Sequence, residues 1–410
     1  MAGPVNTQRR IAGVDAARGI ALLGMIATHI LALVADNGTE PTVVGLVFAG
    51  KSSALFATLA GVGLALLTGG AGSRRAPHQG PALGWDRRQV AVRAVLLFVV
   101  GLGCGFLDMN VAVILAQYAL LFLFALPFLR LGARSLGVWA VGWIALSPVV
   151  ASLLSGRMQS AVGASTYVND WRLWSNPNVL DLLTKPGLLA WDLLFTGYYP
   201  VLQWLGYLLF GLFLGRLRLN RSSVAGLLAV GGAALAAVAF FVSRGLQSMP
   251  GVLTTIASGT GTASSALEAE LLTGDSISTE SIQHLPVWFT LATPHSGAPL
   301  DLLLTCGTSA MVLGVCLMLC QLGRGLLARQ FMPLMPLIGA GAMPLTLYVG
   351  HLVALDVTES ATADWPGLGL LIAYWVGCLV AGTVWRGFGW KGPLEWLLSQ
   401  VSTTVAGPRP

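Results

Sequence analysis

The chain has 410 residues, 55% of them hydrophobic and only 10% charged, with 51 glycines and a formal net charge of +6. A soluble domain carries roughly 25% charged residues, so this chain cannot cover a water-facing surface and lipid must be its main solvent. The five cysteines (Cys104, Cys306, Cys316, Cys320 and Cys378) all lie in apolar runs with no CxxC or His-rich spacing, so packing roles are expected and no metal.

Runs of about 18 or more apolar residues read as membrane spans. In chain order they cover 18–36, 43–68, 91–108, 111–130, 136–155, 199–217, 222–243, 301–323, 333–355 and 366–385. The expected fold is an all-α integral membrane protein of about ten transmembrane helices. The first run follows Arg9 and Arg10 as a signal peptide would. It carries Arg18 and His29 and lacks a small-x-small cleavage site, so a retained helix is expected.

Loop charges test this count. With the N-terminus inside, 18 of the 23 basic residues fall on the inner side; Arg157, Arg172, Lys185 and Arg244 fall outside and Lys51 lies in a span. This asymmetry satisfies the positive-inside rule and puts both termini in the cytoplasm. The basic excess is then topological: the bilayer is the expected partner and nucleic acid is not.

Two outer segments, about 156–198 and 244–300, are too long to be turns. The first is aromatic and suits an interface. The second starts Ser/Thr/Gly-rich, where a mobile stretch is expected, and turns apolar at LPVWFTLA before TPHSGAPL. The expected organisation is one polytopic domain over 1–400 with a short tail, 401–410. Gly211 and Gly215 form a GxxxG, expected to pack helices and permitting a homodimer.

The densest chemical signal is in the first span. Arg18 and His29 are eleven residues apart, about 1,100° of helix, so both face one way with a rise of about 16 Å between them. That places Arg18 at the cytoplasmic edge and His29 near the midplane, where an ionisable side chain suggests function. The plainer alternatives are a neutral histidine bonded to a neighbouring helix and an arginine that merely anchors. His295, His351 and His284 gather on the outer half with Asp36, Lys51 and Asp301, while His78 lies in a cytoplasmic loop. Histidine serves as base or nucleophile near neutral pH, and the charged neighbours would orient it. Arg18, Arg74, Arg75, Arg87, Arg88 and Arg93 stand on the cytoplasmic side, where the fixed fork of arginine donors suits phosphate groups. Tyr198, Tyr199, Gln203 and Trp204 open span six at its outer start, as an interfacial belt or a sugar-stacking surface. No Walker motif, dinucleotide fingerprint, GxSxG elbow or zinc spacing appears.

The Arg–x10–His spacing resembles the membrane acyltransferase-3 family, and VDAARGIALLGMIATH is similar to the opening of YeiB-like proteins. Further segments resemble YeiB-like proteins in order: FAGKSSALFATLAGVGLAL (48–66), ILAQYALLFLF (114–124), GYYPVLQWLGYLLFGLFLGR (197–216), PHSGAPLDLL (294–303), GAMPLTLYVGHL (341–352) and GPLEW (392–396). These families share a superfamily with heparan-α-glucosaminide N-acetyltransferase. The resemblance implies movement of an acyl group, often acetyl from acetyl-CoA, across a membrane to a glycan or lipid acceptor. One departure stands out: many YeiB-like members carry Asn where this chain has His29.

The combined expectation is a transmembrane acyltransferase. Arg18, Arg74, Arg75 and Arg93 hold acetyl-CoA, and His29, His295 and His351 carry the chemistry. Asp36, Lys51, Tyr198, Tyr199, Gln203 and Trp204 form the acceptor side. The residue usage (high Gly, Ala, Arg and Trp) is that of a high-GC bacterium, so the expected place is the inner membrane and the acceptor an envelope glycan or glycolipid. The alternative is a small-molecule transporter or lipid flippase, because intramembrane His, Arg and Lys also make proton relays.

Overall fold

The computed structural model describes residues 11–70, 76–326, 334–362 and 365–410. Among these the architecture is all-helical, and the extended pairing is a single isolated bridge between Val34 and Pro41. The helices are α1 (Ala12–Ile30), α2 (Val43–Phe48), α3 (Lys51–Ala65), α4 (Gly80–Cys104), α5 (Leu115–Ala125), α6 (Ala133–Val162), α7 (Ala164–Asp170), α8 (Val179–Thr184), α9 (Pro186–Trp191), α10 (Val201–Gly215), α11 (Ser222–Gln247), α12 (Val252–Thr260), α13 (Leu267–Thr273), α14 (Pro299–Leu326), α15 (Met335–Ala340), α16 (Pro344–Thr362), α17 (Gly367–Gly387) and α18 (Pro393–Ala406). Among the described residues, five stretches are long and apolar enough to cross a membrane: Val43–Gly69, Ala133–Val162, Ser222–Gln247, Pro299–Leu322 and Gly367–Gly387. Shorter apolar helices cover Leu115–Arg130, Val201–Gly215 and Pro344–Thr358. Exposed Val138, Val141, Leu227, Val230 and Phe241 coat the outside of α6 and α11, a surface that water would not tolerate and lipid does.

Glycine lets the helices of the interior touch backbone to backbone. A Cβ on Gly211 would lie 1.9 Å from the Thr58 carbonyl oxygen, and one on Gly61 would lie 2.2 Å from that of Leu208. The GxxxG of α10 therefore packs against α3 within the chain. α11 and α14 form the most extensive helix pair.

Several boundaries differ from the sequence expectation, each for a local reason. The first helix starts at Ala12 and stops at Ile30 instead of covering 18–36. The apolar LALV run after Ile30 leaves the helix at Leu31, whose φ and ψ are −107° and 141°, and pairs back on Pro41 around an Asn37–Gly38 turn. The ninth run is broken: α15 ends at Ala340 and α16 restarts at Pro344, in the first-turn position where proline needs no N–H. The Ser/Thr/Gly-rich stretch expected to be mobile forms α12, with Ile256 fully buried, and joins Leu271, Ile282 and Trp288 in a separate apolar cluster. Beyond the expected spans, α18 lies along α4. Its Glu395 carboxylate accepts the backbone N–H groups of Leu345 (2.7 Å) and Thr346 (3.1 Å), closing the N-terminus of α16.

The bundle has two chemically distinct ends. The arginine-rich end holds Arg87, Arg130, Arg216 and Arg221; there His78 Nδ1 lies 2.6 Å from Asp86 Oδ2 and Arg409 reaches His78 Nε2 at 3.4 Å. The opposite end carries α7–α9, α12 and α13.

Candidate active site

The last turn of α1 and the middle of α16 bring two histidines together that are 322 positions apart. His29 Nδ1 lies 3.0 Å from His351 Nε2, with the rings stacked 5.2 Å apart at 18°. One nitrogen must donate and the other accept, so the pair holds a single proton between the two rings. His29 Nε2 is left outside that contact, on a residue that lines a cavity. Tyr348, one turn before His351, packs edge-on against its ring at 5.2 Å and accepts the Ile114 N–H at 3.4 Å. Both histidines are thus fixed by their neighbours.

The cavity, about 560 Å³, opens at the loop-rich end. Its floor includes Met25, Thr28 and His29 of α1 and Ser52 and Ser53 of α3; its walls include Arg172, Trp174, Asn176, Asp192, Tyr198, Tyr199 and His295. His295 is the non-glycine residue with positive φ (62°) among the described residues. Such a conformation costs about 1–3 kcal/mol and persists only where the surroundings impose it. Here they do. Asp301, in the first turn of α14, accepts the Gly297 N–H at 3.0 Å and the Ser296 hydroxyl at 3.5 Å, fixing the turn. Tyr198, Tyr199 and Trp204 surround the His295 ring at 4.7, 5.5 and 6.2 Å.

Protein encloses the His295 ring except where it meets the cavity, and this desolvation, followed by the charge of Arg172, lowers its pKa to about 4. His295 is therefore a neutral imidazole at physiological pH. Arg172 pairs with Glu280 and lies 4.8 Å over the Trp174 ring and 5.9 Å from that of Tyr198. Asp192 accepts the Leu173 N–H at 2.8 Å, and burial raises its carboxyl to about 6. The arrangement offers neutral imidazole nitrogens and a titratable carboxyl around a polar cavity with aromatic walls, which suits proton removal from a bound hydroxyl or amine.

The sequence candidates distribute unevenly around this centre. His29, His295, Tyr198 and Tyr199 line the cavity, while His351 and Trp204 support those lining residues from behind. Gln203 lies under the turn, its Cγ 3.1 Å from where a Cβ on Gly297 would be. Asp36 does not belong to the site: because α1 ends six residues before it, it is exposed on the 31–42 hairpin. Lys51 is also displaced. Its Nζ donates to the Leu46 carbonyl at 2.8 Å and lines a second cavity together with Asp301. His284 is exposed beside Gly156.

Arg18 pairs with Asp15 at 2.9 Å and reaches toward Gly63 of α3. It shares a helix face with His29, but His29 sits in the terminal turn rather than mid-helix, and buried Leu22 and Met25 fill the face between them. Arg93 donates to Ser402 of α18 at 3.1 Å, on a helix that packs against α5 and α18 rather than α1. Arg74 and Arg75 lie outside the described residues. From sequence, Trp174 stands out only as part of an aromatic stretch suited to an interface, and Arg172 and Asp192 carry no site role; the signal available was the setting of Arg172 in the aromatic run DWRLW.

Residues 10–249 match the family described as heparan-alpha-glucosaminide N-acetyltransferase, catalytic. No curated protein matches the chain significantly. The matched region contains Arg18, His29, Arg172, Asp192, Tyr198 and Tyr199, whereas His295 and His351 reach the site from beyond it. With well over half of the chain covered, and helices apolar enough for a bilayer around a histidine-lined cavity, the protein belongs to the heparan-alpha-glucosaminide N-acetyltransferase family of membrane acetyltransferases.

Proposed function

We propose that the protein is a multi-pass acyltransferase of the bacterial inner membrane that takes an acetyl group from cytoplasmic acetyl-CoA and delivers it to an envelope glycan or glycolipid outside. Its ordered motifs group it with YeiB-like members. The chain crosses ten times: α1, α2 with α3, α4, α5, α6, α10, α11, α14, α15 with α16, and α17. The arginine-rich end faces the cytoplasm. The observation that carries this reading is His29, backed by His351, at the floor of a cavity whose wall holds a third, neutral histidine, His295.

In the transfer, His29 Nε2 takes the proton of the acceptor hydroxyl or amine, oriented through Nδ1 by His351. The acceptor's oxygen or nitrogen bonds to the acetyl carbonyl carbon, the C–S bond breaks, and coenzyme A leaves as a thiolate that takes the proton held by His29. Neighbouring residues of α5 support a donor passing between the two ends. Gln117 lines the cavity, and Tyr118 lies within electrostatic reach of Arg18. Gln117 Oε1 and the Tyr118 hydroxyl are buried without a hydrogen-bond partner, so a ligand bearing amides would complete them.

Acetyl-CoA binding to detergent-purified protein, measured by calorimetry beside Arg18→Ala and His29→Ala, tests the proposal. Saturable binding that weakens without Arg18 and persists without His29, together with loss of acetyl transfer in His29→Ala, is the expected result. A folded protein that neither binds acetyl-CoA nor moves its acetyl group refutes it.

A further inference from the structure

Two cavities lie on either side of one dipeptide. His295 lines the cavity described above, and its neighbour Pro294 lines a second of about 400 Å³ between α11, α14 and α13; Ala49 lines both. The walls of the second are apolar, built from residues such as Ala236, Ala237, Phe241 and Leu304. Phe241 is 69% exposed and Val238 60% exposed, so this groove opens sideways onto the lipid-coated face of α11.

The polar groups of the groove are specific. Lys51, the first residue of α3, and Arg244, in the last turn of α11, both line it at the loop-rich end. Each keeps donors in reserve: Lys51 Nζ donates to the Leu46 carbonyl, and Arg244 Nη2 to Glu268, which stands outside the lining. The one carboxylate in the lining, Asp301, attracts Lys51 but is committed by hydrogen bonds to Gly297 and Ser296. Two cations therefore stand at the wet end of an apolar groove, Lys51 and an Arg244 whose ion pair with Glu268 is exposed and exchangeable, the charge pattern that complements a phosphate above a hydrocarbon chain.

We infer that this groove holds a hydrocarbon chain of an outer-leaflet lipid whose phosphate meets Lys51 and Arg244, and that the lipid's head turns over Pro294 into the His29–His295 cavity. The acceptor class is then a phosphate-linked lipid carrying a hydroxyl or amine, not a soluble polymer. This rests on the acyltransferase reading; its docking step can be tested without it.

The full chain is reconstituted in nanodiscs with an anionic phospholipid bearing a diazirine in its acyl chain, or with the matched zwitterionic lipid. After irradiation, cross-linked peptides are mapped. The anionic probe is expected to label the peptides covering 236–247 and 299–308 several-fold more than lipid-facing residues of α6. Lys51→Gln with Arg244→Gln should reduce that yield to the zwitterionic level, and Ala237→Trp, on an exposed position, should abolish it. Equal labelling of the groove and α6, undiminished labelling in an Ala237→Trp protein with unchanged helicity and elution, or groove labelling by the zwitterionic probe as strong as by the anionic one overturns the inference. Acetyl-CoA binding in the same discs separates the two levels. Groove labelling without donor binding retains the lipid site and rejects the acyltransferase; donor binding without groove labelling does the reverse.

Discussion

If His351 works only by orienting His29, removing both costs no more than removing His29. His29→Ala deletes the base, an expected loss of roughly 10²–10⁴-fold in transfer rate. His351 is 3% exposed and its Nε2 is 3.0 Å from His29 Nδ1. Its replacement by alanine leaves a buried ring nitrogen unpaired, about 1–3 kcal/mol, or roughly 5- to 150-fold in rate. In His29→Ala that contact no longer exists, so the double variant should match His29→Ala alone, with a coupling energy equal to the whole His351 effect. The assay is the initial rate of labelled acetyl transfer in proteoliposomes, with acetyl-CoA affinity measured in parallel to show that the donor still binds. A double variant whose loss is the product of the two single losses, with coupling under about 0.5 kcal/mol, would mean that the two histidines act independently.

Three other outcomes follow from the surroundings of the site. The carboxyl of Asp192 titrates near 6 in the fold against 3.8 unfolded, so ionisation opposes folding increasingly from pH 4 to 6 and fully above. Asp192→Asn keeps an acceptor for Leu173 and should stabilise the protein at pH 7 by up to about 3 kcal/mol; a gain in thermal midpoint as large at pH 4 as at pH 7 contradicts this. His295 has the opposite sign. With a folded pKa of about 4 against 6.5 unfolded, it remains neutral in the fold, and stability falls as pH drops through that window by up to about 3 kcal/mol. His295→Gln should flatten this acid-side fall in thermal midpoint, and an unchanged slope would show that His295 is freely protonated. Gly211→Ala forces a methyl against the Thr58 carbonyl and should destabilise by about 1–3 kcal/mol, while Gly231→Ala, with open space around it, should be neutral or better. Equal midpoints for the two variants would argue against close α3–α10 contact.

The general plan was legible because lipid imposes a simple rule: long apolar runs become helices, and the runs over 136–155, 222–243 and 301–323 all lie within single helices. Where the rule failed, local chemistry was responsible. LALV is as apolar as a span, yet the Asp36–Asn37–Gly38 turn behind it folds the chain back, which moved His29 from mid-helix to helix end. The histidines could be picked out by their rarity, but nothing in the sequence says that His29 meets His351 while His284 faces away, because pairing across 322 positions is set by helix packing. Lys51 and Asp36 were grouped with the site because they share its side of the membrane. Sharing a side does not say which side of Pro294 a residue occupies. Arg172 comes from the bend after α7 and Asp192 from the short turn after α9, neither with a periodic signature, and only the folded segment brings them to the cavity wall.

The carboxylate of Glu395 at the start of α16 ties together residues whose surroundings differ. Two turns above that cap stands His351; on the other side of it, α18 lies along the arginine-rich surface. A rigid helix transmits displacement along its axis, so α18 and the histidine that shares a proton with His29 form the two ends of one lever. A shift of α18 would be felt as a change in the His29–His351 distance, without any ligand entering the cavity.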